Sequence, residues 1–193
     1  MLSNDQITLS PNPLVRTLGK LPAEFTKADI ISYIVDNDIH ALELRYIGGD
    51  GRLKVLNFAI QSVAHLDRIL TMGERVDGSS LFNFVDATSS DLYVVPQLRS
   101  AFATEPTIDF LCYFYDVAGN PLVSSPQHVL RRAQTALEAA TGNRLQALGE
   151  LEYYLFSDVE TLFPVEEQRG YHEAAPFSKF ADVRTEALKY LTQ

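Results

Sequence analysis

Apolar and polar positions along the chain follow two periods, and each period predicts an element. Ile30, Ile31, Ile34 and Val35 fall on one helical stripe. Thr26 followed by Asp29 has the spacing of a capping box, with Asp in place of the usual Glu, so a helix is expected near 27–37. Leu42, Leu44 and Tyr46 alternate with Glu43 and Arg45, and Leu53 and Val55 resume that period of two after Gly48-Gly49-Asp50-Gly51, which predicts a hairpin. Val63, Leu66, Ile69 and Leu70 predict a short helix ended by Gly73. From Glu74 to Asp91 no period survives and a long loop is expected; loops of that length inside a compact domain are often functional.

Leu92-Tyr93-Val94-Val95 reads as a buried strand ended by Pro96, and the apolar run from Ile108 to Val117 as a second one, closed by a turn at Gly119-Asn120-Pro121. Ser125 and Pro126 form an N-cap and first-turn pair for a helix that Gly142 stops. Leu148–Phe156 is expected as a strand and Ser178–Leu191 as a closing helix. Residues 1–22 mix Asn, Pro, Ser and Thr without an apolar period and read as a flexible leader outside the first core. Pro and polar residues at 103–107 suggest a domain boundary near 105, giving domains 23–105 and 106–193. A hairpin-rich block followed by strand, helix, strand and helix is an α+β pattern.

Composition narrows the class. In 193 residues, 46% hydrophobic content is enough for a core, and a net charge of −9 repels phosphate backbones, which argues against a nucleic-acid partner. The single cysteine, Cys112, sits in the apolar run Ile108–Phe114, where an inert buried thiol is expected. With no basic-then-apolar leader and no apolar run of spanning length, no membrane is implied and a cytoplasmic location is expected.

Two segments could carry chemistry. Strand period puts Glu150 and Glu152 on one face of Gly149-Glu150-Leu151-Glu152-Tyr153-Tyr154, and two carboxylates pointing the same way suit a hard divalent cation such as Mg²⁺ or Mn²⁺. An ordinary solvated strand face has the same spacing. Asp77-Gly78-Ser79-Ser80 offers a carboxylate, a flexible glycine and two hydroxyls, which serves a cation or a plain turn equally. His128 and His172 are expected in surface or capping roles rather than as ligands.

Taken in order, Val76-Asp77-Gly78-Ser79-Ser80, Ser90-Asp91-Leu92-Tyr93-Val94-Val95-Pro96 and Gly149-Glu150-Leu151-Glu152-Tyr153-Tyr154-Leu155-Phe156 resemble the glutamine synthetase family. Arg169-Gly170-Tyr171 and Asp182-Val183-Arg184 extend the resemblance toward the C-terminal end. It implies an N-terminal β-grasp-like domain followed by the start of the family's catalytic α+β domain. It also implies an ATP-dependent ligase that phosphorylates the side-chain carboxyl of glutamate and lets ammonia displace the phosphate. On that resemblance Asp77 is catalytic toward ammonium in a neighbouring subunit, Ser80 and Tyr171 border the ammonium site, Asp91 supports the same loop, and Glu150 and Glu152 are metal ligands. The partners implied are glutamate, ammonia, ATP and further copies of the chain in a ring.

Ser125-Pro126-Gln127, Gln97 and Val76 depart from the family's usual Asp-Pro-Arg, acidic and Phe positions. A glutamate ligase for another amine, or a noncatalytic assembly or regulatory module of the same fold, stays open as an alternative. Family chains are much longer, with their remaining metal-binding glutamates and histidine and their phosphate-binding arginines beyond the position of Gln193. This polypeptide alone is therefore expected to be inactive.

Overall fold

The computed structural model describes residues 4–104, 106–150, 152–156 and 171–191. They belong to two compact units, 1–145 and 146–193.

The first unit is built on one mixed sheet. Strands β1 (Ala41–Ile47) and β2 (Leu53–Ala59) form the expected hairpin, with Leu44 opposite Leu56 and Arg45 opposite Val55. Strand β3 (Glu74–Asp77) pairs antiparallel with β4 (Asp91–Pro96), so part of the segment expected as loop is regular. Strand β5 (Phe102–Thr104) and β6 (Thr107–Asp116) complete the sheet in the order β2-β1-β6-β4-β3, with β5 paired to β6. β6 runs parallel to β1 and antiparallel to β4. It is the central strand, and a domain boundary at 105 would cut it from both neighbours. The boundary expected near 105 instead falls between the paired strands β5 and β6, and the first unit extends through 145.

Strand alternation gives the sheet two different faces. Leu42, Leu44 and Tyr46 of β1, Leu92 and Val94 of β4, and Ile108, Phe110, Cys112 and Phe114 of β6 are buried on one face. Helices α3 (Lys27–Asp36) and α4 (Val63–Met72) supply Ile30, Tyr33, Ile34, Leu66, Ile69 and Leu70 to the same core. Each fully buried Leu, Ile or Phe side chain contributes roughly 1.5–3 kcal/mol of transfer free energy. Helix α3 starts as its spacing predicted: Thr26 Oγ1 accepts from the Asp29 N–H at 3.2 Å and Asp29 Oδ2 accepts from the Thr26 N–H at 2.9 Å. The Lys20 ammonium at 2.7 Å, then Thr26, hold the Asp29 carboxyl down at about 2. Helix α4 ends where Gly73 takes φ +73°.

The leader reading is overturned. Residues Asn4–Thr8 form helix α1 and Pro13–Leu18 form helix α2, whose Leu14 and Val15 are buried in the core. Asn12 caps α2 by accepting from the Leu14 N–H at 2.9 Å and ties it to the sequence-distant segment before β5 by donating to the Ala101 carbonyl at 3.0 Å. Six residues carry too few apolar positions to show a period, which is why pattern alone missed this helix.

The second face of the sheet carries helix α5 (Pro126–Thr141), which Gly142 stops as expected. His128 is its buried residue, against the expectation of a surface role: the imidazole lies between the rings of Tyr113 and Tyr115, and Nε2 lies 3.1 Å from the Phe114 carbonyl. Cys112 is fully buried, and burial raises its thiol far above the ordinary value, so it is no nucleophile.

In the second unit, helix α6 (Ala181–Leu191) matches the closing helix. The strand expected at Leu148–Phe156 is not formed: residues 146–150 and 152–156 are neither helix nor strand, and Leu148, Tyr154 and Phe156 are exposed. A strand needs a partner for its N–H and C=O groups, and no described residue of this unit forms one. No helix among the described residues is long and apolar enough to cross a membrane.

Candidate functional site

Asp77 is the last residue of β3, facing Asp91, the first residue of β4, in the final rung of that ladder. Two carboxylates directly opposite repel, and each is compensated separately. The Arg75 guanidinium donates to Asp91 Oδ2 at 3.1 Å. Asp77 caps a short 3-10 turn at Gly78–Ser80: Oδ1 accepts from the Ser79 N–H at 3.1 Å and from the Ser79 hydroxyl at 2.7 Å, and Oδ2 accepts from the Ser80 hydroxyl at 2.5 Å. Hydrogen bonds from Ser80, then Ser79, then Ser90, hold the Asp77 carboxyl at about 2 although it is exposed. It is therefore an anion at every physiological pH.

Backbone contacts hold this turn against the sheet. The Gly78 N–H donates to the Ser90 carbonyl at 2.7 Å, and a Cβ on Gly78 would crowd Leu92 Cδ1 at 2.5 Å and the Ser90 carbonyl oxygen at 2.9 Å. The Gly49 N–H, from the β1–β2 turn, donates to the Leu81 carbonyl at 3.2 Å. Phe82, fully buried, stacks on Phe84 and meets Phe114 edge-to-face at 4.9 Å. The result is an open cleft of about 380 Å³ lined by Asp50, Lys54, Ser79, Ser80, Phe82 and Asn83 among others. A rigid turn thus presents fixed negative charge and two hydroxyls beside a cleft.

The sequence singled out Asp77, Ser80 and Asp91, and the structure brings them into one turn and one strand pair. Ser79 is one of the two hydroxyls read in that segment, while pattern reading gives Ser90 and Arg75 no role. Both reach the site through strand pairing, which has no local signature.

The other candidates lie in the second unit. Glu150 and Glu152 are exposed in the irregular segment, with Leu151 between them outside the described residues. Tyr171 is exposed, its ring stacked on His172 at 4.0 Å between centroids; Arg169 and Gly170 lie outside the described residues. Asp182 opens α6 in its first turn. A hard divalent cation takes about six oxygen ligands. Among the described residues no three His, Cys, Asp or Glu side chains gather to hold one, so these residues do not make a metal centre by themselves.

Residues 38–117, which span β1 to β6 and contain Asp77, Ser80 and Asp91, match the family model of the glutamine synthetase β-grasp domain. Over these residues the chain is a glutamine synthetase β-grasp domain. The glutamine synthetase of Clostridium saccharobutylicum is 30% identical over 163 residues, covering 80% of this chain and 36% of that protein. That of Frankia alni is 27% identical over 142 residues, covering 70% and 30%. A cryo-EM structure of Plasmodium falciparum glutamine synthetase shares the fold at a TM-score of 0.51 and 15% identity, over 60% of this chain and 23% of the other. The chain spans about a third of the length of the curated relatives it matches. The α+β reading with an N-terminal β-grasp domain therefore holds, with β6 as part of that domain. Glu150, Glu152 and Tyr171 fall outside the matched β-grasp residues.

Proposed function

We propose that this chain supplies the ammonium-side turn of a glutamate–ammonia ligase, in which ATP phosphorylates the glutamate side chain and ammonia displaces the phosphate. The observation that carries the reading is Asp77: an exposed carboxylate, fixed as an anion by three serine hydroxyls, in a rigid turn of a glutamine synthetase β-grasp domain. A fixed anion favours NH₄⁺ over neutral entrants at the mouth of a site. Ser80 borders that position, and Tyr171, in the second unit, is proposed as an ammonium-site residue on the family resemblance alone. Asp77 serves a neighbouring copy in a ring, Asp91 with Arg75 holds the strand pair beneath it, and the assembly works in the cytoplasm.

Glu150 and Glu152 are proposed as two ligands of Mg²⁺ or Mn²⁺, the others coming from outside the described residues. The 193-residue chain alone is then inactive. The amine accepted is ammonia, because Asp77 and Ser80 are both present.

The test is a chimera in which this chain replaces the matching first third of the Clostridium saccharobutylicum enzyme. Expected are ATP-dependent glutamine formation, a preference for ammonia over methylamine, and a loss of about 100-fold in kcat/KM for ammonia with Asp77→Asn, a general-base-sized effect. An active chimera indifferent to Asp77→Asn would sink the ammonium assignment. Glutamine formation by the isolated chain would refute its incompleteness. Titration of the chimera with Mn²⁺ checks the metal ligands: binding unchanged by both Glu150→Ala and Glu152→Ala removes them.

A further inference from the structure

We propose that His128 is a proton-operated latch that fastens helix α5 to the second face of the sheet and releases it on mild acidification. The inference is independent of the ligase reading. It starts from how little else holds the first turns of the helix. Ser125 occupies the N-cap position but makes no side-chain cap bond, and its buried hydroxyl and the buried Gln127 Oε1 have no hydrogen-bond partner. Val129 and Leu130 are exposed, and His128 is the buried residue of the helix.

The latch itself is specific. The Phe114 carbonyl, 3.1 Å from Nε2, can only accept, so Nε2 carries the proton and Nδ1 is bare in the docked, neutral state. Tyr113 and Tyr115 of β6 flank the ring with centroids at 5.0 and 5.5 Å. A second proton would place an imidazolium in this pocket. The charged groups facing it from α5 are Arg131, whose guanidinium lies 6.0 Å from the Tyr113 ring, and Arg132. Tyr113 and Tyr115 are the titratable groups from β6, and Pro121 and Val123 on the turn side carry no charge. The adjoining groove, about 550 Å³, has no carboxylate in its lining. The imidazolium therefore gains a cationic neighbour, no counter-ion among the described residues and a desolvation cost.

Burial first, and then Arg131, pull His128 below the ordinary imidazole value, against the opposing hydrogen bond to Phe114. A depressed histidine contributes docking stability that is complete above the undocked value of about 6.5 and falls away as pH drops through the docked value. Release turns the Tyr113–Tyr115 face of β6 to solvent and frees the helix that precedes the Glu150–Glu152 segment in the chain.

The test is amide hydrogen exchange with NMR titration of His128 on the 193-residue chain. Between about pH 7.5 and about pH 5, protection of the α5 amides relative to the β1–β6 amides is expected to fall, after correction for intrinsic exchange. His128→Gln keeps an N–H donor for the Phe114 carbonyl without titrating, and should flatten that profile. Should His128→Gln not fold, His128→Phe, which fills the same pocket, takes its place with the same expectation. A His128 resonance titrating at or above about 6.5, or a wild-type profile as flat as the variant's, would overturn the latch.

Discussion

Asp77 and Asp91 close the β3–β4 ladder as directly opposed carboxylates, one neutralised by a guanidinium and the other wrapped in hydroxyls. The asymmetry leaves Arg75 committed to Asp91 and gives Asp77 no cationic partner among the described residues. That well-solvated charge is what makes the turn attractive to a small cation.

The Asp77 carboxyl is expected to titrate at about 2 in the chain, by carbon-detected NMR of side-chain carboxyls. Because the folded value is depressed, its contribution to stability is present above the unfolded aspartate value of about 3.9 and is lost as pH falls through the folded one. Ser80→Ala and Ser79→Ala should each move the value up toward the ordinary range. A wild-type value near the unfolded one would contradict the hydroxyl cage.

Glu43 and Asp109 also face each other across β1 and β6, with the Arg45 guanidinium donating to both, at 2.6 Å to Glu43 Oε2. Asn57 donates to Glu43 Oε1 at 2.7 Å, and Thr104 and Thr107 donate to Asp109 Oδ2 at 2.5 and 3.1 Å. Arg45→Met should cost about 2–3 kcal/mol in urea unfolding at neutral pH, the figure for a broken buried pair reduced for partial exposure of the arginine. Burial, and then Asp109, already push Glu43 above its ordinary value. A raised carboxyl favours folding below its unfolded value and loses that contribution as pH rises, so the variant should recover stability toward pH 5. Equal losses at both pH values would argue against carboxylate repulsion.

Leu14→Ala is expected to destabilise the domain by about 2–4 kcal/mol, a core-sized penalty. A surface-sized change would return residues 1–22 to the status of a leader.

Gly73 combines φ +73° with no room for a side chain: a Cβ there would collide with the Val94 carbonyl and come within 2.9 Å of Val95 Cα. The obstacle is backbone of β4, which cannot swing aside. Gly73→Ala should therefore cost about 3 kcal/mol, from overpacking and a strained φ together. A change below about 1 kcal/mol would show that the α4–β3 turn can shift.

Local chemistry alone determined much of this protein. Thr26 with Asp29, Gly73, Pro126 and Gly142 punctuate helices within a few residues, and alternation in β1, β4 and β6 follows from one buried sheet face, whereas the apolar Leu53 and Val55 of β2 lie exposed. The turn at Asp77–Ser80 was legible for the same reason, since capping and turn chemistry act at short range, whereas its reading as a site came from the family resemblance. Only the tertiary structure decided the rest. Whether 1–22 joins the core depends on Leu14 finding a cavity and Asn12 reaching Ala101. Whether 105 divides domains depends on β6 lying between β1 and β4. His128 is buried because Tyr113 and Tyr115 stand at its position on the sheet, and residues 148–150 and 152–156 are irregular because no described residue of their unit offers a second strand to pair with. Pairing across distance is a property of the fold, and a chain read one window at a time does not contain it.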